Sequence, residues 1–355
     1  MSTPRILIVA PDLGLNPDGT YRPGGIQYAG RLFRRALEGA ANLAIRVVSQ
    51  VDPPEISGII GCGGSRLRLA HTVIRLMPQV DRVIYLHLHQ AALSNLPGHP
   101  PFVVIANGEE VYDPPSPLRA RALRRAESVI AISQFTARFV APYREGRSPV
   151  RVVHLGIDPP ASSKPLLMPE QGGEAALLCV GSMYQWQPER TKGHRALIQA
   201  WTAVKATSNL AEAALWIVGG GEDEPSLRAL AAANPRITFF GRLSEAQLAP
   251  LWQKARGFVL PSRREGFGLV YLEAMRRGLP CIAGNTDAGA EIVIDGETGF
   301  TVSSDPTDIA QRCIRLLQYE ALAEKMGAQG RQRFADHFTF DHFRARLGQA
   351  LGLSL

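Results

Sequence analysis

Gly257–Val302, GFVLPSRREGFGLVYLEAMRRGLPCIAGNTDAGAEIVIDGETGFTV, is the stretch whose reading decides the fold. Phe258-Val259-Leu260 is a short apolar run closed by Pro261-Ser262, the pattern of a buried strand that ends at a loop. The loop from Arg263 to Gly268 carries two cations, a carboxylate and two glycines. Leu269 to Arg277 then has helical spacing, with Leu269, Leu272, Ala274 and Met275 available to pack. Gly278 suits a left-handed helix stop, and Pro280 prevents continuation. Cys281-Ile282-Ala283 reads as the next buried strand. Strand, glycine loop, helix and strand make one βαβ unit of a parallel sheet.

The loop-to-helix junction also carries chemistry. A helix start offers unpaired N–H groups and the positive end of a dipole, both suited to phosphate. Gly266 and Gly268 let a ligand approach the backbone. Glu265 and Glu273 lie eight positions apart, and each carboxylate can accept two hydrogen bonds from paired sugar hydroxyls. Phosphate on the helix end and hydroxyls on the glutamates describe a nucleotide-sugar site. A solvated surface loop would use the same residue types.

The string Glu265-Gly-Phe-Gly-Leu-Val-Tyr-Leu-Glu273 resembles the E-x7-E signature of the family-4 retaining glycosyltransferases. Leu-Pro-Ser before it, Gly-Leu-Pro after it and Gly-Glu-Thr-Gly-Phe downstream match as well, and the similarity is strongest from Leu177 to Val302. The resemblance implies an α/β protein of the GT-B fold, with two Rossmann-like doubly wound parallel-sheet domains. The expected division is an N-terminal acceptor-binding domain at 1–160, a linker at 161–173 and a nucleotide-sugar-binding domain at 174–339. A last helix, 340–355, is expected to cross back to the first domain.

Outside that stretch the chain alternates strand and helix. Arg5–Ala10, Arg46–Ser49, Gly58–Gly61, Arg82–Leu86, Pro101–Ala106, Val129–Ser133 and the run from Val150 to Leu155 read as strands of the first domain. Ligands bind beyond the carboxyl ends of strands in such sheets. Gly24-Gly25, His87, Asn107-Gly108 and Ser133 all follow such ends. In the second domain Ala175–Gly181 and Ala214–Val218 read as strands, and from Thr307 the chain reads as helix with one break near Thr339.

Arg190 and Lys192 precede an amphipathic helix, where cations are unfavourable unless an anion is bound. The resemblance makes them phosphate-binding groups that neutralise charge on the departing nucleoside diphosphate. It assigns catalysis to Arg190, Lys192, Glu265 and Asn107. Donor contacts fall to Gly24, Gly25, Gly181, Ser182, Gly219, Arg242, Leu243, Gly266, Phe267, Gly268, Leu269 and Glu273. The acceptor side falls to His87, Glu109 and Ser133. Two departures stand out. Ser182 occupies a position where many members carry Arg, and Asn107-Gly108 replaces the common His-Gly. Asparagine cannot take up a proton at neutral pH, so a retaining transfer here would pass the acceptor's proton to the departing phosphate oxygen.

Composition narrows the partners. Of 355 residues, four are cysteines, scattered without a C-x-x-C pair, which gives no metal or redox framework. No metal and no cofactor beyond the nucleotide-sugar co-substrate is expected. Net charge is +7, and residues 1–158 hold 18 Arg, no Lys and 12 Asp or Glu. An anionic partner for that half follows. No stacking platform or nucleic-acid motif accompanies the arginines, so nucleic acid is not expected. Arg66, Arg68 and Arg75 interleave with apolar residues on one helix, which suits lipid headgroups as well as a solvated basic edge. The sequence begins without a signal-like apolar stretch. The expectation is a cytoplasmic enzyme, with peripheral contact at the anionic inner face of the membrane.

The function so implied is retaining, metal-independent transfer of a mannosyl, glucosyl or related sugar from a GDP- or UDP-sugar to a hydroxyl of a glycan or lipid-linked acceptor. Two readings remain beside it: an epimerase-like nucleotide-sugar enzyme that transfers nothing, and a nucleotide-sugar-binding protein without activity.

Overall fold

A computed structural model describes residues 3–18, 20–22, 24–54, 56, 58–159, 175–184 and 192–355. The chain forms two units: Met1–Ile157 with Phe340–Leu355, and Asp158–Thr339. The expected linker, 161–173, lies outside the described residues.

Unit 1 opens with strand β1 (Arg5–Ala10), helix α1 (Gly25–Glu38), β2 (Ala44–Ser49), β3 (Ile60–Gly61) and α2 (Arg66–Leu76). It continues with β4 (Arg82–Tyr85), α3 (Leu88–Ala91), β5 (Phe102–Ala106), α4 (Glu109–Tyr112), α5 (Pro117–Arg125), β6 (Ser128–Ala131), α6 (Gln134–Val140) and β7 (Arg151–Val152). The strands form one parallel sheet in the order β3-β2-β1-β4-β5-β6-β7. Ile6 pairs with Ile45 on one side and Arg82 on the other. The apolar runs are continuous because both faces of the sheet are covered. Leu7 and Val9 pack with Leu69 and Val73 of α2, while Ile6 and Ile8 are buried on the opposite face.

Unit 2 runs through β8 (Ala176–Val180), α7 (His194–Ala206), β9 (Ala214–Val218), α8 (Glu224–Ala231), β10 (Ile237–Gly241), α9 (Glu245–Lys254), β11 (Gly257–Leu260) and α10 (Leu269–Met275). Then come β12 (Cys281–Gly284), α11 (Gly289–Ile292), β13 (Gly299–Val302), α12 (Pro306–Gln318) and α13 (Glu320–His337). Its parallel sheet has the order β10-β9-β8-β11-β12-β13. All four cysteines are buried and free, and burial raises each thiol.

The final helix, α14 (Phe340–Leu351), belongs to unit 1. Phe343 is fully buried and meets Phe33 of α1 edge-on at 5.2 Å, and the Arg35 guanidinium lies 3.8 Å from the Phe340 ring centroid. Arg82 and Arg344 fasten the helix with hydrogen bonds to Leu351 O and Gly39 O at 2.9 Å each.

The helical tail has a break that the sequence reading did not separate. Tyr319, at φ −110° and ψ 85°, divides α12 from α13. No glycine or proline marks the break, and tertiary packing outweighs local propensity there.

Candidate active site

In unit 2 the strands on either side of the β8–β11 boundary are added in opposite directions, and such a switch point opens a ligand crevice beyond the strand ends. Lys192 stands just before α7, and Glu265 stands in the loop after β11. Their side chains form an ion pair, exposed to only 30% and 15%. Gly193 brings them together. Its φ is +78°, and a Cβ there would lie 2.1 Å from Pro261 O. Only glycine permits that approach of backbone to backbone.

Glu265 is held from behind by Asp287, a buried residue after β12. Asp287 Oδ2 accepts from Ser262 Oγ at 2.9 Å and from Glu265 N at 2.8 Å, and Oδ1 accepts from Gly289 N at 2.9 Å. Burial, with the Glu265 charge adding to it, pushes the Asp287 carboxyl up to about 7 against these bonds. The residue before Glu265, Arg264, has φ 65°, the one positive value at a non-glycine among the described residues. A left-handed non-glycine costs about 1–3 kcal/mol and persists only where its surroundings fix it. The pinned Glu265 N–H does so here.

Glu273 projects from α10. Its carboxylate has no hydrogen-bond partner among the described residues, and burial raises its pKa against the pull of Arg276 and Arg277. Arg277, pushed down to about 10 by burial, stands 5.1 Å from the Trp252 ring centroid. The carboxylate is therefore supported, with acceptor positions left for hydroxyls. α10 spans only seven residues, so its dipole offers little by itself, and Lys192, paired with Glu265, is a cation beside the loop that leads into it.

The remaining donor-side residues surround this core. Gly181 directly follows β8 and Gly219 directly follows β9, and a Cβ on Gly219 would fall 1.9 Å from Gly181 O. Ser182 is exposed beside them, and Leu243 is half-buried. Arg242 donates to Tyr184 Oη at 3.1 Å. Gly266 is half-buried, and Phe267 is buried with its ring 6.4 Å from that of Phe338. Gly268 (φ +91°) caps α10, and Leu269 opens it. Arg190 lies outside the described residues. His194, not singled out in the sequence, is the first residue of α7. Burial and then Lys192 hold it near pKa 4, and its Nε2 has no hydrogen-bond partner among the described residues.

Unit 1 gathers a second set at its strand ends. Gly24 caps α1 without a side-chain bond, and a Cβ on Gly25 would meet nothing within 4 Å, so the backbone there is open. The loop leading to them is tied down by buried Asp52, which accepts from Leu13 N at 2.7 Å and Leu15 N at 2.8 Å. His87 is buried at the end of β4. Its Nδ1 accepts from His89 N at 3.2 Å, so a neutral ring carries its proton on Nε2, which points to Glu110 Oε2 at 3.7 Å. His89, held near pKa 4 by burial with His87, Arg119 and Arg66 adding, is neutral.

Glu110 also receives Asn107 N at 2.7 Å, while Asn107 Nδ2 donates to Leu86 O at 2.7 Å. The Asn107 amide is thus partly committed to joining β5 to β4, which leaves its oxygen for a ligand. The sequence reading named Glu109, which is exposed; its buried neighbour Glu110 contacts His87. Ser133 is buried and caps α6, its Oγ accepting from Thr136 N at 3.0 Å. Among the described residues no group of three or more His, Cys, Asp or Glu could hold a metal ion.

The family model described as Glycosyl transferases group 1 matches residues 174–319. Unit 2 carries a group 1 glycosyl transferase domain. The group 1 domain contains Lys192, His194, Glu265, Glu273 and Asp287, and its match ends at the Tyr319 break. A GDP-mannose-dependent monoacylated alpha-(1-6)-phosphatidylinositol monomannoside mannosyltransferase of Corynebacterium glutamicum is 34% identical over 169 residues, 45% of this chain and 44% of that protein. The chain thus aligns with less than half the length of that relative. A GDP-mannose-dependent alpha-(1-6)-phosphatidylinositol monomannoside mannosyltransferase of Mycolicibacterium smegmatis is 27% identical over 70% of this chain and 69% of its own. The structure of Anabaena HepE in complex with UDP-glucose matches with a TM-score of 0.76, covering 98% of this chain and 99% of that one at 17% identity. At that identity the likeness establishes the fold. The group 1 domain and unit 1 are the two doubly wound sheets of a GT-B protein.

Proposed function

We propose that this chain transfers a sugar, with retention at the anomeric carbon, from a nucleotide-diphosphate-sugar to a hydroxyl of a glycan or lipid-linked acceptor, without a bound metal. The observation that carries the reading is the Lys192–Glu265 ion pair at the switch point of unit 2, within the stretch that matches the group 1 model, with the Glu273 carboxylate on the following helix making no hydrogen bond among the described residues. Before donor binds, the pair satisfies both charges. An entering diphosphate competes for Lys192, and Glu265 becomes an acceptor for sugar hydroxyls. As the bond from the anomeric carbon to phosphate oxygen breaks, Lys192 opposes the charge growing on the leaving group. The acceptor oxygen bonds to that carbon, and its proton passes to the departing phosphate oxygen. Glu273 takes the ribose hydroxyls. Asn107, with its Nδ2 committed to Leu86, keeps its oxygen for a sugar hydroxyl at the strand ends of unit 1.

Thermal-shift measurement with UDP-, GDP- and ADP-sugars tests the donor, since a ligand that binds only the folded state raises its stability. The expected result is one preferred nucleotide, then glycosylated product once an acceptor is supplied. Stabilisation without product, and without donor hydrolysis, would leave a binding protein. A changed sugar released on its own nucleotide would make the chain an epimerase.

A further inference from the structure

Between β1 and α1 the chain doubles back in a short hairpin that sugar transfer, as proposed above, does not use. Leu15 and Tyr21 pair as antiparallel neighbours, Asn16 N donates to Thr20 O at 2.9 Å, and Arg22 N donates to Gly14 O at 2.6 Å. Side chains at the turn bond to one another: Asn16 Nδ2 donates to Thr20 Oγ1 at 2.8 Å, and Thr20 Oγ1 donates to Asp18 Oδ1 at 2.6 Å. Carboxylates fix the base. Asp12 accepts from Gly14 N at 2.8 Å, Arg22 Nη2 at 2.7 Å and Gln27 Nε2 at 2.9 Å, and Asp52 holds Leu13 and Leu15.

This well-fastened hairpin leaves Tyr21 61% exposed. The Arg31 guanidinium lies 4.5 Å from its ring centroid and 5.5 Å from that of Tyr28, and Arg31 Nη1 donates to Leu13 O at 2.7 Å. A cation held in that way against one face fixes the plane of the ring. Among the described residues no other ring or cation meets Tyr21. A second recognition group stands beside it. Gln27 Nε2 is committed to Asp12, which orients the amide and sets its oxygen over Gly24, where a Cβ would lie 1.9 Å from Oε1. That oxygen accepts no hydrogen bond among the described residues, and Gly24 and Gly25 are exposed. Ring and amide are neighbours: a Cβ on Gly14 would lie 2.9 Å from Gln27 Cβ and 3.0 Å from Arg31 Nη1.

We infer that Tyr21 and Gln27 form a subsite for a neutral pyranose of the acceptor, with the C–H face of the sugar on the tyrosine ring and one hydroxyl donating to Gln27 Oε1. The inference rests on the sugar-transfer reading and narrows its acceptor to one that carries a sugar at or next to the receiving hydroxyl. The face of an aromatic ring is negative and the polarised C–H bonds of a pyranose are slightly positive, so the two surfaces attract as water leaves. A ring fixed before contact loses little entropy on binding. The amide adds direction, because it accepts only where a hydroxyl projects toward it, and so it separates epimers. An anionic group fits less well: Arg22 is engaged with Asp12 and Asp52, and Arg31 with Leu13 O and the two rings. A nucleobase would also stack, but the groups suited to ribose and diphosphate belong to unit 2.

Sugar binding can be read directly, without turnover. Saturation-transfer NMR is run on the full chain with methyl α-D-mannopyranoside, methyl α-D-glucopyranoside and methyl β-D-galactopyranoside in turn. The variants Tyr21→Ala, Tyr21→Phe and Gln27→Leu are compared, each first shown to melt like the parent. The parent should transfer saturation to the ring C–H protons of one glycoside more than to the others. Tyr21→Ala should bind that glycoside about threefold to tenfold more weakly, Tyr21→Phe should keep it, and Gln27→Leu should lose the preference among epimers. Binding of no glycoside by the parent overturns the inference, as does full binding by Tyr21→Ala, equal loss in Tyr21→Phe, or an unchanged preference in Gln27→Leu. A smaller melting shift with UDP or GDP in Tyr21→Ala would assign the ring to the nucleotide and overturn it as well. The reading beneath it fails differently: no nucleoside diphosphate then raises the melting temperature of the parent, whether or not a glycoside binds.

Discussion

Asp287 links two loops that are separated in sequence, and its ionisation should be visible in stability. Its folded pKa of about 7 lies above the ordinary carboxyl value, so the folded chain holds this proton more tightly than the unfolded one. The stabilisation is complete below the unfolded value and is lost as pH rises through about 7. The contribution is on the order of 1–4 kcal/mol. Melting from about pH 4.5 to about 8.5 should show that decline, and Asp287→Asn should flatten it, because an amide does not titrate there. The asparagine also cannot accept all three bonds, so turnover should fall even where the variant is folded; unchanged turnover would mean that Glu265 needs no such support. Glu273→Ala should weaken donor binding measured by calorimetry, each lost hydroxyl-to-carboxylate bond being worth about 1.5–3 kcal/mol. Glu265 and Glu273 were legible because their spacing follows one loop and one helix. Asp287 was not, because its partners Ser262 and Glu265 are fixed by the β11–β12 pairing, and no local pattern encodes that. Glu109 and Glu110 differ only in which way a four-residue helix turns them.

Between β8 and α7 a single glycine governs the delivery of Lys192. Gly193→Ala would force a Cβ against Pro261 O in a conformation that only glycine adopts readily. The variant should lose turnover together with some stability. Lys192→Ala should instead lose turnover, by about 10²–10³, with little change in melting temperature. Comparing the two by steady-state kinetics and thermal melting separates charge from placement, and a Lys192→Ala enzyme with full turnover would remove that residue from the mechanism. The strand-and-helix order was readable because buried parallel strands are nearly continuous apolar runs between glycine turns. The tail was read less well. Tyr319 interrupts it without any breaker residue, and the division appears only once α12 packs on the sheet.

Across the whole molecule the chain leaves unit 1, builds a group 1 domain, and returns. Deleting everything after Thr339 should therefore destabilise unit 1 selectively. It opens the seat of Phe343, a buried aromatic whose removal alone costs about 3–5 kcal/mol. Hydrogen exchange should show β1 and α1 losing protection while β8 and β11 keep theirs; equal loss in both units would contradict this. The return of α14 also sets a timetable. Most of unit 1 leaves the ribosome before unit 2, and its last helix leaves after it. At about 5–20 residues per second, the intervening unit takes on the order of 10–40 s to synthesise. For that interval the side of α1 that will receive Phe343 is uncovered on a nascent chain, an opening for chaperones and proteases that closes only when the returning helix emerges.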